Sequence, residues 1–116
     1  MNPPSLDIMS QTVKHCSDYL GVLSKCNSKQ RRGILQSADP ALIKAICECA
    51  LNVVKGNIPL TPTQKRRLSP HKNTLRSLAD RKKSLKTKKR ILIQKGGFLP
   101  LLLKAIVPTI ASLLFK

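Results

Sequence analysis

Asp39-Pro40-Ala41-Leu42-Ile43-Lys44-Ala45-Ile46-Cys47-Glu48-Cys49-Ala50-Leu51-Asn52-Val53-Val54-Lys55-Gly56 is the stretch on which the fold turns. Asp39 sets a capping carboxylate ahead of a proline at the first helical position, where the missing N–H costs nothing. From Ala41 to Val54 the apolar residues Leu42, Ile43, Ile46, Cys47, Ala50, Leu51, Val53 and Val54 cover more than one face. A helix apolar around so much of its circumference belongs at the centre of a bundle. Gly56 then stands where a C-cap glycine belongs.

Upstream, Ser10 or Thr12 is placed to cap a first helix with Val13, Cys16, Leu20 and Leu23 on one side. Asn27-Ser28 is an N-cap signal for a short second helix running through Gln30 to Ala38 that buries Ile34 and Leu35. Residues 1–57 thus read as a small unit of about three helices, near the lower size limit for an independent core.

Downstream, Asn57-Ile58-Pro59-Leu60-Thr61-Pro62 is a linker, because its prolines prevent regular helix or sheet. Thr61-Pro62, Ser69-Pro70 and Ser84 follow as three helix-start signals. Leu68, Leu75, Leu78, Leu85 and Leu92 form one narrow apolar stripe on otherwise basic helices. That stripe is expected to dock on the helical unit or on itself. Lys95-Gly96-Gly97 is expected to break the helix and serve as a hinge before an apolar tail. The predicted fold is all-α: a helical unit over 1–57, basic helical segments over 58–95, and a hydrophobic C-terminal helix or tail over 96–116.

With 116 residues the chain is too short for a large catalytic architecture. Its 22 Lys and Arg against 5 Asp and Glu give a net charge of +17, which points to a polyanionic partner, nucleic acid or an anionic membrane. The charge is concentrated: residues 1–54 carry +2, residues 55–95 carry +13 with Asp80 as their single acid, and residues 96–116 carry +2. Only Tyr19, Phe98 and Phe115 are aromatic, too few for a groove that stacks single-stranded bases.

Lys65, Arg66, Arg67, Lys72, Arg76, Arg81, Lys82, Lys83, Lys86, Lys88, Lys89, Arg90 and Lys95 are dense enough to meet several phosphates at once. Neutralising about 6–10 phosphates gives an affinity that falls by decades with salt. Lys outnumbers Arg, and Lys binds as a point charge with little geometric selectivity. Few Asn or Gln stand nearby to read adenine edges. Binding to the duplex backbone without sequence preference follows. Thr61-Pro62 and Ser69-Pro70 also read as proline-directed phosphorylation sites that would oppose such binding, although helix capping explains both equally well.

No catalytic, metal or cofactor site is expected. The cysteines at 16, 26, 47 and 49 include no C-x-x-C pair, and reduced thiols are the expected state. The carboxylates are scattered, and His15 beside Cys16 is a sequence neighbour, not a base poised on a nucleophile. No secretory signal is read at Met1–Asp7, and the basic clusters double as nuclear import signals.

Phe98 to Phe115 admits three readings. It is borderline in length for a membrane span and carries Lys104, Pro100 and Pro108. As an interfacial helix it has Pro100, Lys104, Pro108 and Ser112 every fourth residue and leucines and isoleucines elsewhere. As a tail packed in a protein assembly it is equally sensible.

The basic stretch running into Gly96-Gly97-Phe98-Leu99-Pro100-Leu101-Leu102-Leu103, with an Ile/Ala/Leu tail and a second proline, resembles the precursor of the adenovirus core peptide mu. It is most similar to the pX-like core proteins of adintoviruses and Polinton (Maverick) elements, over residues 65–115. The segment Cys47-Glu48-Cys49-Ala50-Leu51-Asn52-Val53-Val54-Lys55-Gly56-Asn57 resembles the helical region that precedes it in the Polinton-type proteins. The resemblance implies a virion core protein that condenses double-stranded DNA in the capsid, made for the host nucleus. It further implies capsid proteins and a viral cysteine protease as partners, the latter cutting after Gly97. Where that protease prefers Met, Leu or Ile, this chain has Gln94.

Overall fold

The computed structural model describes residues 11–114, and every regular element among them is helical. The all-α class read from the sequence is the observed one. The helices are α1 (Gln11–His15), α2 (Ser17–Lys25), α3 (Ser28–Gln36), α4 (Pro40–Val54), α5 (Pro62–Leu68), α6 (Lys72–Ala79), α7 (Leu85–Lys95) and α8 (Leu99–Leu114). Single 3-10 turns, Ser69–His71 and Gly96–Phe98, join α5 to α6 and α7 to α8.

Helix α4 is the central one, in contact with α1, α6, α7 and α8. Its start is built as the sequence predicts: Asp39 Oδ1 accepts from the Leu42 amide at 3.0 Å, with Pro40 at the first position. Its end is a Schellman cap. Gly56 adopts φ +76°, its amide donates to Val53 O at 3.0 Å, and the Asn57 amide donates to Asn52 O at 2.9 Å. The same turn brings Asn57 Nδ2 to 3.4 Å from Asn52 Oδ1, which helps satisfy a buried amide.

The other caps explain where the short helices begin. Asn27 and Gln30 form a reciprocal capping box at α3, and Thr61 and Gln64 form another at α5. Ser84 Oγ accepts from the Thr87 amide at 3.2 Å to start α7. Between α6 and α7, Asp80 Oδ1 accepts from the Lys82 amide at 2.9 Å, so the one acid of the basic zone is engaged in a turn.

Four expectations are corrected. The first helix is two, because the chain turns at Cys16 between α1 and α2; Thr12 lies inside α1, and Ser10 lies outside the described residues. The second starts at Ser28 behind the Asn27 cap, as the sequence signals, but ends at Gln36, two residues short of Ala38. Ser69-Pro70 starts no α-helix: Ser69 caps nothing with its side chain, and a 3-10 turn carries α5 into α6. Gly96-Gly97 does not break the helical run; it tightens it into a 3-10 turn, with Gly96 buried against Leu35 and Leu99.

One core unites residues from all three charge zones. Leu20 and Leu23 of α2 lie with Leu102, Leu103, Ile106 and Ile110 of α8, a helix that packs along α2. Ile43, Ile46 and Ala50 of α4 share that core with Leu75 and Leu78 of α6 and Leu92 of α7. The leucine stripe therefore docks on the helical unit, Leu68, Leu75, Leu78 and Leu92 being buried and Leu85 packed at the edge. Ile58, also buried, pins the linker. The Cα radius of gyration is 13.2 Å, about the ~13 Å expected of a 100-residue domain.

Candidate nucleic-acid interface

The basic residues stand on a folded surface. Lys65, Arg66 and Arg67 are exposed on α5, where Leu68 alone turns inward. On α6, Lys72 and Arg76 lie one turn apart on the side away from Leu75 and Leu78, and both are exposed. Arg81, Lys82 and Lys83 occupy the connecting loop, and Lys86, Arg90 and Lys95 are exposed on α7. Asp80 is the single acid of the zone against these thirteen cations, so the surface they form is strongly positive.

Three of the thirteen interact with other parts of the fold. Lys89 is half-buried, and its Nζ donates to the carbonyl of Ala38 at 3.2 Å. Lys88, also half-buried, lies close enough to Cys47 to favour its thiolate. Lys83, although exposed, donates from Nζ to Ser77 Oγ at 3.1 Å.

Packing adds cations that the sequence reading left out. Helix α3 lies against α7, and Lys29, Arg31 and Arg32 line a groove with Gln94, Gly96 and Gly97. Arg31 Nε sits 3.7 Å from where a side chain at Gly96 would begin. These three belong to the nearly neutral first zone, and nothing in their local sequence marks them; only the α3–α7 contact brings them beside the basic helices.

Gly97 is exposed, but it lies within the 3-10 turn, and Phe98 after it is fully buried with its ring 5.8 Å from that of His71. Leu85–Ala111, as one helical run of 27 residues, is long and apolar enough to cross a membrane. In the folded chain Leu99, Leu102, Leu103 and Ile106 of that run are fully buried in the core. Pro100, Lys104 and Pro108 stay at or near the surface, as their four-residue spacing predicts.

Three of the thiols, Cys16, Cys47 and Cys49, are buried. Burial pushes Cys49 up to about 12, with Glu48, Cys47 and Cys16 adding to the rise. Cys47 is pushed up to about 11 by burial, with Lys88 acting the other way. Burial also raises Cys16, and nearby Asp39 adds to it. Such groups stay protonated at neutral pH and make poor nucleophiles or metal ligands. Among the described residues no cluster of three metal-ligating side chains occurs.

The chain matches no family model, and neither a curated protein nor a solved structure matches it.

Proposed function

We propose that this chain binds and condenses double-stranded DNA without sequence specificity, as a core protein of an adenovirus-like virion or Polinton-type element. In this reading it works in the virion and the host nucleus. The observation that carries the proposal is the run of exposed cations along α5, α6, α7 and the loop before α7. Each phosphate contact releases counterions from the duplex, so a surface of this kind gains affinity from charge density and not from base identity.

The resemblance of residues 65–115 to pX-like core proteins supports the same reading, and with it capsid proteins and a viral cysteine protease as further partners. A membrane role for residues 98–115 is less well supported, because Phe98, Leu99, Leu102, Leu103, Ile106 and Ile110 are buried in the core.

The test is a salt titration of binding to random-sequence duplex DNA, with a full-length variant in which Lys72, Arg76, Lys86 and Arg90 are replaced by Gln. Truncation at residue 61 is unsuitable, since it removes much of the shared core. A steep log–log dependence on salt, indifferent to sequence and shallower by about 3 to 4 in the variant, supports the proposal. Weak binding at low salt, or an unchanged slope in the variant, overturns it.

A further inference from the structure

Two proline-directed acceptor motifs stand in the basic zone, and the fold treats them differently. Thr61 Oγ1 accepts from the Gln64 amide at 3.1 Å while Gln64 Oε1 accepts from the Thr61 amide at 2.9 Å. That hydroxyl is built into a capping box. Ser69 is exposed, makes no side-chain cap, and its hydroxyl has no hydrogen bond among the described residues. It sits in a 3-10 turn, whose hydrogen-bond geometry is poorer than that of the α-helices on either side.

The surroundings of Ser69 are cationic. Its amide donates to Lys65 O and its carbonyl accepts from the Lys72 amide, so these two lysines flank it one turn away on either side. Lys65, Lys72 and Arg76 line one shallow cavity with Ser69, over an apolar floor that includes Val53, Leu60 and Leu75. Helix α6 begins just beyond with no side-chain cap at its N-terminus. In Ser69-Pro70-His71-Lys72 a proline follows the acceptor and a cation stands three residues on, the arrangement a proline-directed kinase reads.

We propose that Ser69 is the phosphorylation site of this chain, and that its phosphate is held by Lys65, Lys72 and Arg76 and so withdraws them from DNA. The regulatory half of this inference rests on the DNA-binding reading above. In the transfer the Ser69 hydroxyl oxygen forms a bond to the γ-phosphorus of ATP supplied with Mg2+ and the kinase. The bond from that phosphorus to the bridging oxygen breaks, ADP leaves, and the serine proton passes to the kinase base. The product carries a charge of about −1.5 to −2 at neutral pH, at the start of α6 and among three cations.

The experiment incubates the full chain with a proline-directed kinase of the cyclin-dependent class and Mg2+·ATP, alongside a peptide of residues 65–75. Mass mapping is expected to find one phosphate, on Ser69 and not Thr61, and none at that position in Ser69→Ala. A 31P titration should place the second phosphate pKa below its usual value of about 6, returning towards it in Lys65→Gln/Arg76→Gln, which leaves the kinase's Ser-Pro-x-Lys motif intact. The salt slope for duplex DNA should become shallower by about 3, with affinity on the order of tenfold to a hundredfold lower at about 0.1 M salt.

Phosphorylation of the peptide but not of Ser69 in the full chain overturns the site. A phosphorylated Ser69 with an unshifted phosphate pKa and an unchanged salt slope overturns the capture. If the unmodified chain does not bind duplex DNA, the DNA reading and the regulatory half fall together, while the mass and 31P results still decide the site.

Discussion

Lys89 Nζ donates a hydrogen bond of 3.2 Å to the carbonyl oxygen of Ala38, across 51 residues of chain. Ala38 follows α3 at the turn into α4, so this cation fastens the basic helix α7 to the first zone. A lysine that reads in sequence as one phosphate contact among many is a structural clamp. Lys89→Met should lower stability by about 1 kcal/mol in urea unfolding, the usual worth of one such bond. Lys86→Met, on the exposed side of the same helix, should stay within about 0.5 kcal/mol of the parent while weakening DNA binding.

Two glycines with open space around them should respond to alanine with opposite signs. Gly56 holds φ +76° in the α4 cap, where an L residue is strained, so Gly56→Ala should cost about 1 to 2 kcal/mol. Gly33 lies inside α3 with nothing within 4 Å of a new methyl, and Gly33→Ala should stabilise by about 0.5 to 1 kcal/mol. Paired thermal melts of the two variants check the difference.

The basic zone should unfold with the rest of the chain. Leu78 of α6 and Leu103 of α8 are both fully buried in the shared core. Leu78→Ala and Leu103→Ala should each cost about 2 to 5 kcal/mol and still give one cooperative transition by circular dichroism. A Leu78→Ala variant as stable as the parent would show that α6 is not docked without DNA.

The buried thiols set an alkaline limit. In the unfolded chain they titrate near 9.0, whereas in the fold Cys47 is pushed up to about 11 and Cys49 to about 12. Between those values the unfolded chain binds fewer protons than the folded one, so stability falls as pH rises. Their contribution should be fully present below pH 9 and lost progressively between about 9 and 12, as denaturant midpoints measured across that range would show. At pH 8 half-buried Cys26 should react with a maleimide well before Cys47 and Cys49, which become reactive on unfolding.

Local signals made much of this protein legible in its sequence. Asp39-Pro40, Gly56, Thr61-Pro62 and Ser84 each mark a helix end because a cap is a contact between residues two to five apart, complete within its own segment. The broad apolar circumference of α4 and the leucine stripe through Leu92 foretold a central helix and a docked basic face by periodicity alone. The +13 of residues 55–95 is a sum, and no folding changes it.

What the tertiary structure decided is which groups are left over once the core forms. Burial of Phe98, Leu102 and Ile106 makes a stretch with three readings into a core helix, since the α2 face that covers it lies some 80 residues earlier in the chain. Packing of α3 on α7 enlists Lys29, Arg31 and Arg32 and removes Lys89 from the free cations. The capping box occupies Thr61 and leaves Ser69 exposed beside Lys65 and Lys72. Composition fixes the sign and amount of charge; only long-range contacts decide which of those charges face the solvent.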